Sequence, residues 1–369
     1  MDNELSPEMK NVLELLDEME NGVLDIRDLI LWENLPESPK WAEVTYLNCS
    51  KNHLTELPDL PNAVELNCSD NNLSKLPKLP NVKKLFCFRN SITTIPKLSN
   101  VVILNCSNNR LTRLPVLPNV KKINCSDNRL TTIPKLPNVK KINCSRNRIV
   151  KVPNLLSVEV FECETNRISQ LSLMPNIQEL KCTGNRLTQL PQLFNITNLS
   201  CSYNQLTWLP ELPNVRCLGC AANKLTLLPE LPLATNINCS DNKITTFPKL
   251  PSIGFLDCSE NPVNELPELS TIVVLDCSKT PIKTLPRIPN VKDLYCESTP
   301  LYYNPKFNKI HWAIIDFITL KIYVAKWRKF NQSSVSAKKQ SLHDELFYSP
   351  ELPFYKEREG YQHWHQNTN

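Results

Sequence analysis

The sequence predicts a solenoid, a chain wound in short coils that stack a parallel β-sheet, with helices only at its two ends. Three observations lead there. A segment beginning Leu66-Asn67-Cys68-Ser69-Asp70-Asn71-Asn72-Leu73 returns at a fixed step of nineteen residues, and cysteine marks the beat fourteen times from Cys49 to Cys296, with no insertion or deletion. A period of this size belongs to architectures in which each unit buries its apolar face against its neighbours. Apolar residues alternate ahead of each cysteine, which is strand periodicity. Two prolines in five residues follow it, which excludes a helix on the return path.

Residues 1–40 precede the repeats and differ in chemistry. Ser6-Pro7 is a helix-start signal, Met9, Val12, Leu13, Leu16 and Met19 form an apolar stripe, and Asn21-Gly22 ends it. A second helix is expected near Leu24 to Trp32. Eleven acidic and three basic residues give this segment about −8 by formal count. Its expected role is a cap over the exposed edge of the first strand, which a solenoid requires; docking of a partner is the alternative.

In the repeats, Ile142 and Cys144 of Val139-Lys140-Lys141-Ile142-Asn143-Cys144 point inward, and Lys141 and Asn143 point out. Stacking at roughly 4.8 Å sets equivalent residues of successive repeats into rows on one open face. The residue three after each cysteine is Asn52, Asn71, Asn90, Asn109, Asn128, Asn147, Asn166, Asn185, Asn204, Asn223, Asn242 and Asn261 in twelve repeats, and Thr280 and Thr299 in the last two. A carboxamide both donates and accepts, so this row is expected to satisfy backbone groups that the turn leaves unpaired inside the coil. Threonine reaches less far, and the row should weaken at the C-terminal end. The return path reads as in Leu209-Pro210-Glu211-Leu212-Pro213, with the first Pro kept in all repeats but the one carrying Ser172. It suits an extended, polyproline-like back whose leucines face inward.

After Leu301 the repeat dissolves, with Asn304 at a leucine position. Lys309 to Lys329 is expected to form a basic amphipathic helix with Ile310, Ile314, Phe317, Val324 and Trp327 near one face. Asp316 and Lys321 interrupt it well short of a membrane span. It is read as a C-terminal cap, with a calmodulin-type or membrane-surface role as the alternative. Gln332 to Ser341 reads as a polar linker, and residues 346–355 are aromatic enough to fold back on the protein or on a partner. His363-Trp364-His365 offers two ligands only, and no metal site is assigned to it.

These motifs resemble the leucine-rich repeat pattern L-x-x-L-x-L-x-x-N-x-L, with Cys in the third leucine position, over about residues 41 to 301. The L-P-x-L-P back is similar to the short repeats of bacterial secreted effectors, and the C-S-x-N core resembles repeats of giant DNA viruses of amoebae. The resemblance implies a leucine-rich repeat solenoid of the α/β-horseshoe class, rich in β. A parallel sheet would form the concave face and an extended back the convex one. The domain reading is a helical cap over 1–40, fourteen repeats over 41–301, and a cap helix and tail over 302–369.

The fourteen in-register cysteines are expected to be small core hydrophobes with reduced thiols, which implies a reducing, intracellular compartment, the host cytoplasm if the source is viral. Cys217 lies at an outward position and is expected at the surface. One cysteine per coil gives zinc no convergent cluster. The acidic Met1-Asp2-Asn3-Glu4 start lacks an apolar core, so no signal peptide is expected.

The repeats hold 29 basic and 20 acidic residues. Just after the Asn row stand Arg110, Arg129, Arg148, Arg167 and Arg186 in five successive repeats, resuming as Lys224 and Lys243. Lys84, Lys122 and Lys141 add outward strand positions nearby, and Asp257, Asp276 and Asp293 reverse the sign further on. The stripe reads either as a solvated edge, with Asp127 and Glu164 partly compensating, or as a surface for an acidic partner. Tyr46, Phe86, Phe88, Tyr203, Phe255 and Tyr295 are read as outward aromatics, with Phe86 and Tyr203 as candidate anchors.

The sequence shows no Gly-rich phosphate loop, nucleophile–base set or ligand cluster. The expected function is therefore a non-catalytic protein-interaction scaffold, of viral or effector type acting on host proteins, with no cofactor, metal or small-molecule substrate. The alternatives are the substrate-recognition part of an effector ubiquitin ligase and a polyanion binder. In those ligases a catalytic Cys comes after the repeats, whereas the 68 residues after Leu301 contain none. An excess of nine positive charges over the repeats is modest for a nucleic-acid binder, so nucleic acid is not expected.

Overall fold

The computed structural model describes residues 6–32, 34–307, 309, 320, 323 and 324. The chain divides into two units, Met1–Tyr295 and Cys296–Asn369. In the first, fifteen three-residue strands run in sequence order through a single parallel sheet, from β1 (Val23–Asp25) and β2 (Tyr46–Asn48) to β15 (Asp293–Tyr295). Neighbours are in register at nineteen-residue offsets from β2 onward, as Lys122, Ile123 and Asn124 of β6 (Lys122–Asn124) pair with Lys141, Ile142 and Asn143 of β7 (Lys141–Asn143). Around Cys125 the coil supplies six apolar residues to the core, Val120, Ile123, Cys125, Leu130, Ile133 and Leu136, all buried. Burying one such side chain stabilises by about 1.5–3 kcal/mol, and stacking repeats that contribution in every coil. Of the two apolar residues on the return path, the second is fully buried, as Leu60 and Leu79 are, while the first is half-buried at Leu57 and Leu76 and buried at Leu114, Ile133, Leu190 and Leu209.

Among its described residues, the N-terminal segment forms one α-helix. α1 (Pro7–Asp17) starts where Ser6 Oγ accepts from Met9 N at 3.4 Å, and it buries Met9, Val12 and Leu16. The expected second helix near Leu24 to Trp32 is not there. Asn21 and Gly22 both take positive φ, and Gly22 O accepts from Thr45 N at 2.8 Å and Tyr46 N at 3.0 Å, which launches β1 alongside β2. A β-carbon at Gly22 would meet Glu43 O at 2.7 Å. From β1 the chain runs into a degenerate first coil with Ile26 in the cysteine place. Ile26 N donates to Asn48 O (2.8 Å) and Asp28 N to Ser50 O (3.0 Å), repeating the bonds from Cys49 N to Asn67 O and Lys51 N to Ser69 O. Ile26 stands twenty-three residues before Cys49 instead of nineteen, and that longer step hides it from a search for the period.

The Asn row does what its chemistry implies. Asn147 Oδ1 accepts from Leu130 N of the preceding coil at 2.9 Å, while its Nδ2 lies within 3.2 Å of the carbonyls of Cys125, Cys144 and Ser145. Asn52 through Asn261 repeat this pattern, and Asn52 takes both Leu29 N and Leu31 N of the degenerate coil at 3.1 Å. Thr280 and Thr299 are buried, and the hydroxyl of each donates at 2.6 Å to the Cys carbonyl of its own coil. A second row, to which the sequence pattern assigns no role, lines the opposite turn. Asn62, Asn81, Asn119, Asn138 and their equivalents donate to a carbonyl twenty residues earlier, as Asn138 Nδ2 does to Pro118 O at 2.8 Å. Ser172, the one departure from the first proline, turns its hydroxyl to Val152 O at 2.8 Å.

The fourteen in-register cysteines are buried free thiols, and Cys217 is exposed. Burial pushes Cys49, Cys87, Cys125 and Cys201 up to about 12 from an ordinary value of 9.0, and raises the others from Cys68 to Cys258 in the same direction. The described part of the C-terminal unit includes the turn at Thr299–Tyr303 and helical residues at 305–307, 309, 320, 323 and 324. The rest of the Lys309–Lys329 segment, the linker, the aromatic tail and His363-Trp364-His365 lie outside the described residues.

The contacts of the Asn rows and the cysteines lead to measurable outcomes. Asn147→Ala should cost about 2–4 kcal/mol in denaturant unfolding, because it strips a buried amide of its acceptor. Asn147→Asp should cost more at neutral pH, since a carboxylate would face three carbonyls. Asn138→Ala, at an exposed single bond, should cost under about 1 kcal/mol; equal losses at positions 138 and 147 would contradict the ranking. Thiol reagents should modify Cys217 alone in the native protein and the other fourteen only on unfolding, because the reactive species is the thiolate. The pKa of the twelve from Cys49 to Cys258 is raised in the fold, so stability should be complete below pH 9 and fall as pH rises toward 12, by up to about 1.4 kcal/mol per pH unit for each of these thiols. A pH-stability profile flat across that window would refute this assignment.

Candidate functional site

The inward residues and the two Asn rows hold the coils together, so positions whose side chains the fold does not need are found on the strand face and along its edge. The row that begins each strand runs Tyr46, Glu65, Lys84, Ile103, Lys122, Lys141, Val160, Glu179, changing class at almost every step. The row that ends each strand is more uniform and is held in place. Asn105 Oδ1 accepts from Ser107 N and Oγ at 3.2 and 2.8 Å, and Asn124 Oδ1 accepts from Ser126 N at 3.1 Å. Such Asn–Ser pairing fixes each carboxamide with its oxygen turned to its own turn. Asn143 does the same with Ser145 N and donates to Glu162 Oε2 at 2.7 Å. The signal for this row is present in the recurring Asn-Cys-Ser triplet, which in the sequence reads only as part of the period.

On this face β4 (Lys84–Phe86) to β9 (Glu179–Lys181) line a depression of about 440 Å³, walled by Phe86, Ile103, Asn105, Lys122, Asn124, Lys141, Asn143, Val160, Glu162 and Glu179. Lys122, Lys141 and Phe86 therefore come together as expected. The arginine stripe does not join them. Arg129 N donates to Leu111 O of the preceding coil at 2.9 Å, and Arg110, Arg148, Arg167 and Arg186 make the same bond, so the stripe begins the next segment beyond the turn. Between it and the strands stands a residue of positive φ in every coil, such as Asn108, Asp127, Arg146 and Thr165. The five arginines are exposed and form an edge beside the face rather than part of it.

Tyr203 also moves. It is one of the positive-φ residues, with φ of 53° and 68% exposure, so it stands at the turn and not on a strand. The expected compensation by Asp127 is spent elsewhere, because Asp127 faces Arg146 at 3.6 Å. Other charges pair across one coil in the same way: Lys84 with Glu65 at 2.9 Å, Arg89 with Asp70 at 3.3 Å, Lys140 with Glu159 at 2.7 Å and Lys181 with Glu162 at 2.8 Å. Lys181 is pushed up to a pKa above the ordinary lysine range by the hydrogen bonds it donates to Glu162 and Glu179. Among the described residues, no ion pair is made by Lys122, Lys141 or the five stripe arginines.

Toward the other end, Asp257 and Asp276 sit side by side in register, and each accepts from the Ser N two residues on, at 3.1 and 2.9 Å. No group of three or more His, Cys, Asp or Glu side chains that could hold a metal ion occurs among the described residues. No helix among them is long and apolar enough to cross a membrane.

No family model and no curated protein sequence matches the chain. Solved structures do. YopM, a leucine-rich effector protein from Yersinia pestis, is 28% identical over 78% of this chain and 92% of that one, with a TM-score of 0.67. YopM from Yersinia enterocolitica is 29% identical over 73% of this chain and 72% of that one, at 0.59. The functional domain of InlJ from Listeria monocytogenes, which includes a cysteine ladder, is 24% identical over 66% and 65%, at 0.52, a likeness of fold. With its period, its buried Asn row and these neighbours, the chain is a leucine-rich repeat protein, a β-rich solenoid of parallel-strand coils.

Proposed function

We propose that this protein is a non-catalytic, effector-type interaction scaffold that docks an acidic protein through the basic coils between Arg110 and Arg186. The observation that carries the reading is how its charges are disposed. The coils neutralise Lys84, Arg89, Lys140, Arg146 and Lys181 by pairing each with a carboxylate of a neighbouring coil. Five stacked guanidiniums and two adjacent ammoniums are left without such a partner among the described residues. Like charges in adjacent positions repel, a cost the fold could have avoided by its own device and one that an acidic surface would offset. Guanidinium also suits bidentate contact with carboxylates.

The likeness to YopM supports the effector-type reading, and a row of unoxidised core thiols suits a reducing compartment. Docking is assigned to the strand face of β4 to β9 together with the arginine edge beside it.

Capture from host-cell lysate by the full chain should be compared with the Arg129→Glu, Arg148→Glu, Arg167→Glu variant. The variant should match the parent in circular dichroism and thermal melting. Its captured set should be depleted at moderate salt, and parent binding should itself fall as salt rises, because exposed charge attraction is screened. Identical captured sets for the two proteins at moderate salt would leave the stripe a solvated edge and defeat the reading.

A further inference from the structure

We infer that Lys122 and Lys141 form a subsite for one carboxylate side chain, flanked by apolar residues, on an extended segment of a protein partner. This rests on the reading of the strand face as a docking surface and names what that face takes. The two lysines begin adjacent strands and lie directly opposite each other in the parallel register. At about 4.8 Å between strands, two ammoniums are close enough for the two oxygens of a single carboxylate to bridge them. Their neighbours on the same row are apolar on both sides, Ile103 in the strand before and Val160 in the strand after.

Three other lysines near the depression are satisfied. Lys84 holds Glu65, Lys140 holds Glu159, and Lys181 holds both Glu162 and Glu179. Glu162, the wall carboxylate at the C-terminal side of the depression, already accepts from Asn143 and Lys181. Among the residues lining the depression, the unpaired charge is thus that of Lys122 and Lys141, on two rungs of the sheet between apolar rungs.

The adjoining row supplies direction. Asn105 and Asn124 have their oxygens fixed by Ser107 and Ser126, which leaves each NH₂ group as a preset donor, two residues beyond Ile103 and Lys122 on their strands. Preset donors suit the carbonyls of an extended main chain without the entropy of ordering a free side chain. Recognition then has three parts: a carboxylate on Lys122 and Lys141, apolar contact with Ile103 and Val160, and main-chain carbonyls on Asn105 and Asn124.

The probe is a blocked tripeptide, acetyl-Leu-Glu-Leu-amide, titrated into the full chain whose lysines carry ¹³C-dimethyl labels that preserve their charge. Lys122→Gln and Lys141→Gln identify the two signals. The Lys122 and Lys141 signals should shift together while those of Lys84 and Lys140 stay, and acetyl-Leu-Gln-Leu-amide should move neither. Half-saturation seen at Lys141 should rise about fivefold in Lys122→Gln, the loss of one exposed ion pair near the top of its range. Acetyl-Gly-Glu-Gly-amide should bind more weakly than the leucine peptide. An unchanged response in the Arg129→Glu, Arg148→Glu, Arg167→Glu variant would support a subsite separate from the stripe. Equal shifts at all lysines, or equal binding of the glycine peptide, would overturn the subsite. If lysate capture is salt-sensitive and stripe-dependent while the peptide shifts nothing, the subsite falls and the broader docking reading stands.

Discussion

The structure depends on one contact, the buried carboxamide that ties each coil to the one before it. A nineteen-residue coil with three-residue strands has too little regular pairing of its own to satisfy every backbone group at the turn, and an unpaired buried amide costs as much as a lost hydrogen bond. The Asn side chain meets this by accepting one inter-coil amide and donating to carbonyls of both coils. Its reach sets the turn, the turn sets the step, and a constant step keeps cysteine over cysteine and leucine over leucine. The small thiol fits because larger side chains already fill the interior from the strand and the return path.

Much of this was legible because it repeats. Period, strand position, inward cysteine and the role of Asn52 to Asn261 could be read from residue chemistry alone, since fourteen copies of a pattern remove the ambiguity of one. The features that escaped do not repeat, or repeat in disguise. The first coil has Ile26 for cysteine and a longer step, so its strand reads in the sequence as part of a helix. The turn residue of positive φ is Asp70, Arg89, Asn108, Tyr203 or Glu260 in different coils and glycine only at Gly184, so its conformation left no residue type to recognise. Because that turn is invisible in the sequence, the arginine stripe and Tyr203 read as part of the strand face when they stand past its edge.

The division of labour within a coil explains why function is the less legible part. Inward positions and the two Asn rows are nearly invariant along the chain because stacking demands it. Outward strand positions are free of that demand and range over Tyr, Glu, Lys, Ile, Val, Cys, Phe and Asp. Charge along the face accordingly changes from an unneutralised basic region at β6 and β7 to the paired Asp257 and Asp276 near its end. A scaffold of this kind carries its specificity in rows that the fold does not constrain.

The claim that the Asn row carries the cohesion between coils is tested most directly by native-state hydrogen exchange at equivalent amides. Leu111, Leu130 and Ile244 donate to Asn128, Asn147 and Asn261 of the next coil, whereas Val263 has Thr280 in that place. Cys258 N, in the same coil as Val263, donates to Asp276 O at 2.8 Å and serves as the internal reference. The account predicts that the Val263 amide exchanges at least about tenfold faster than those of Ile244 and Cys258, which loss of one net hydrogen bond would produce. A Val263 amide as well protected as that of Ile244 would contradict it, because coil cohesion would then not require the carboxamide.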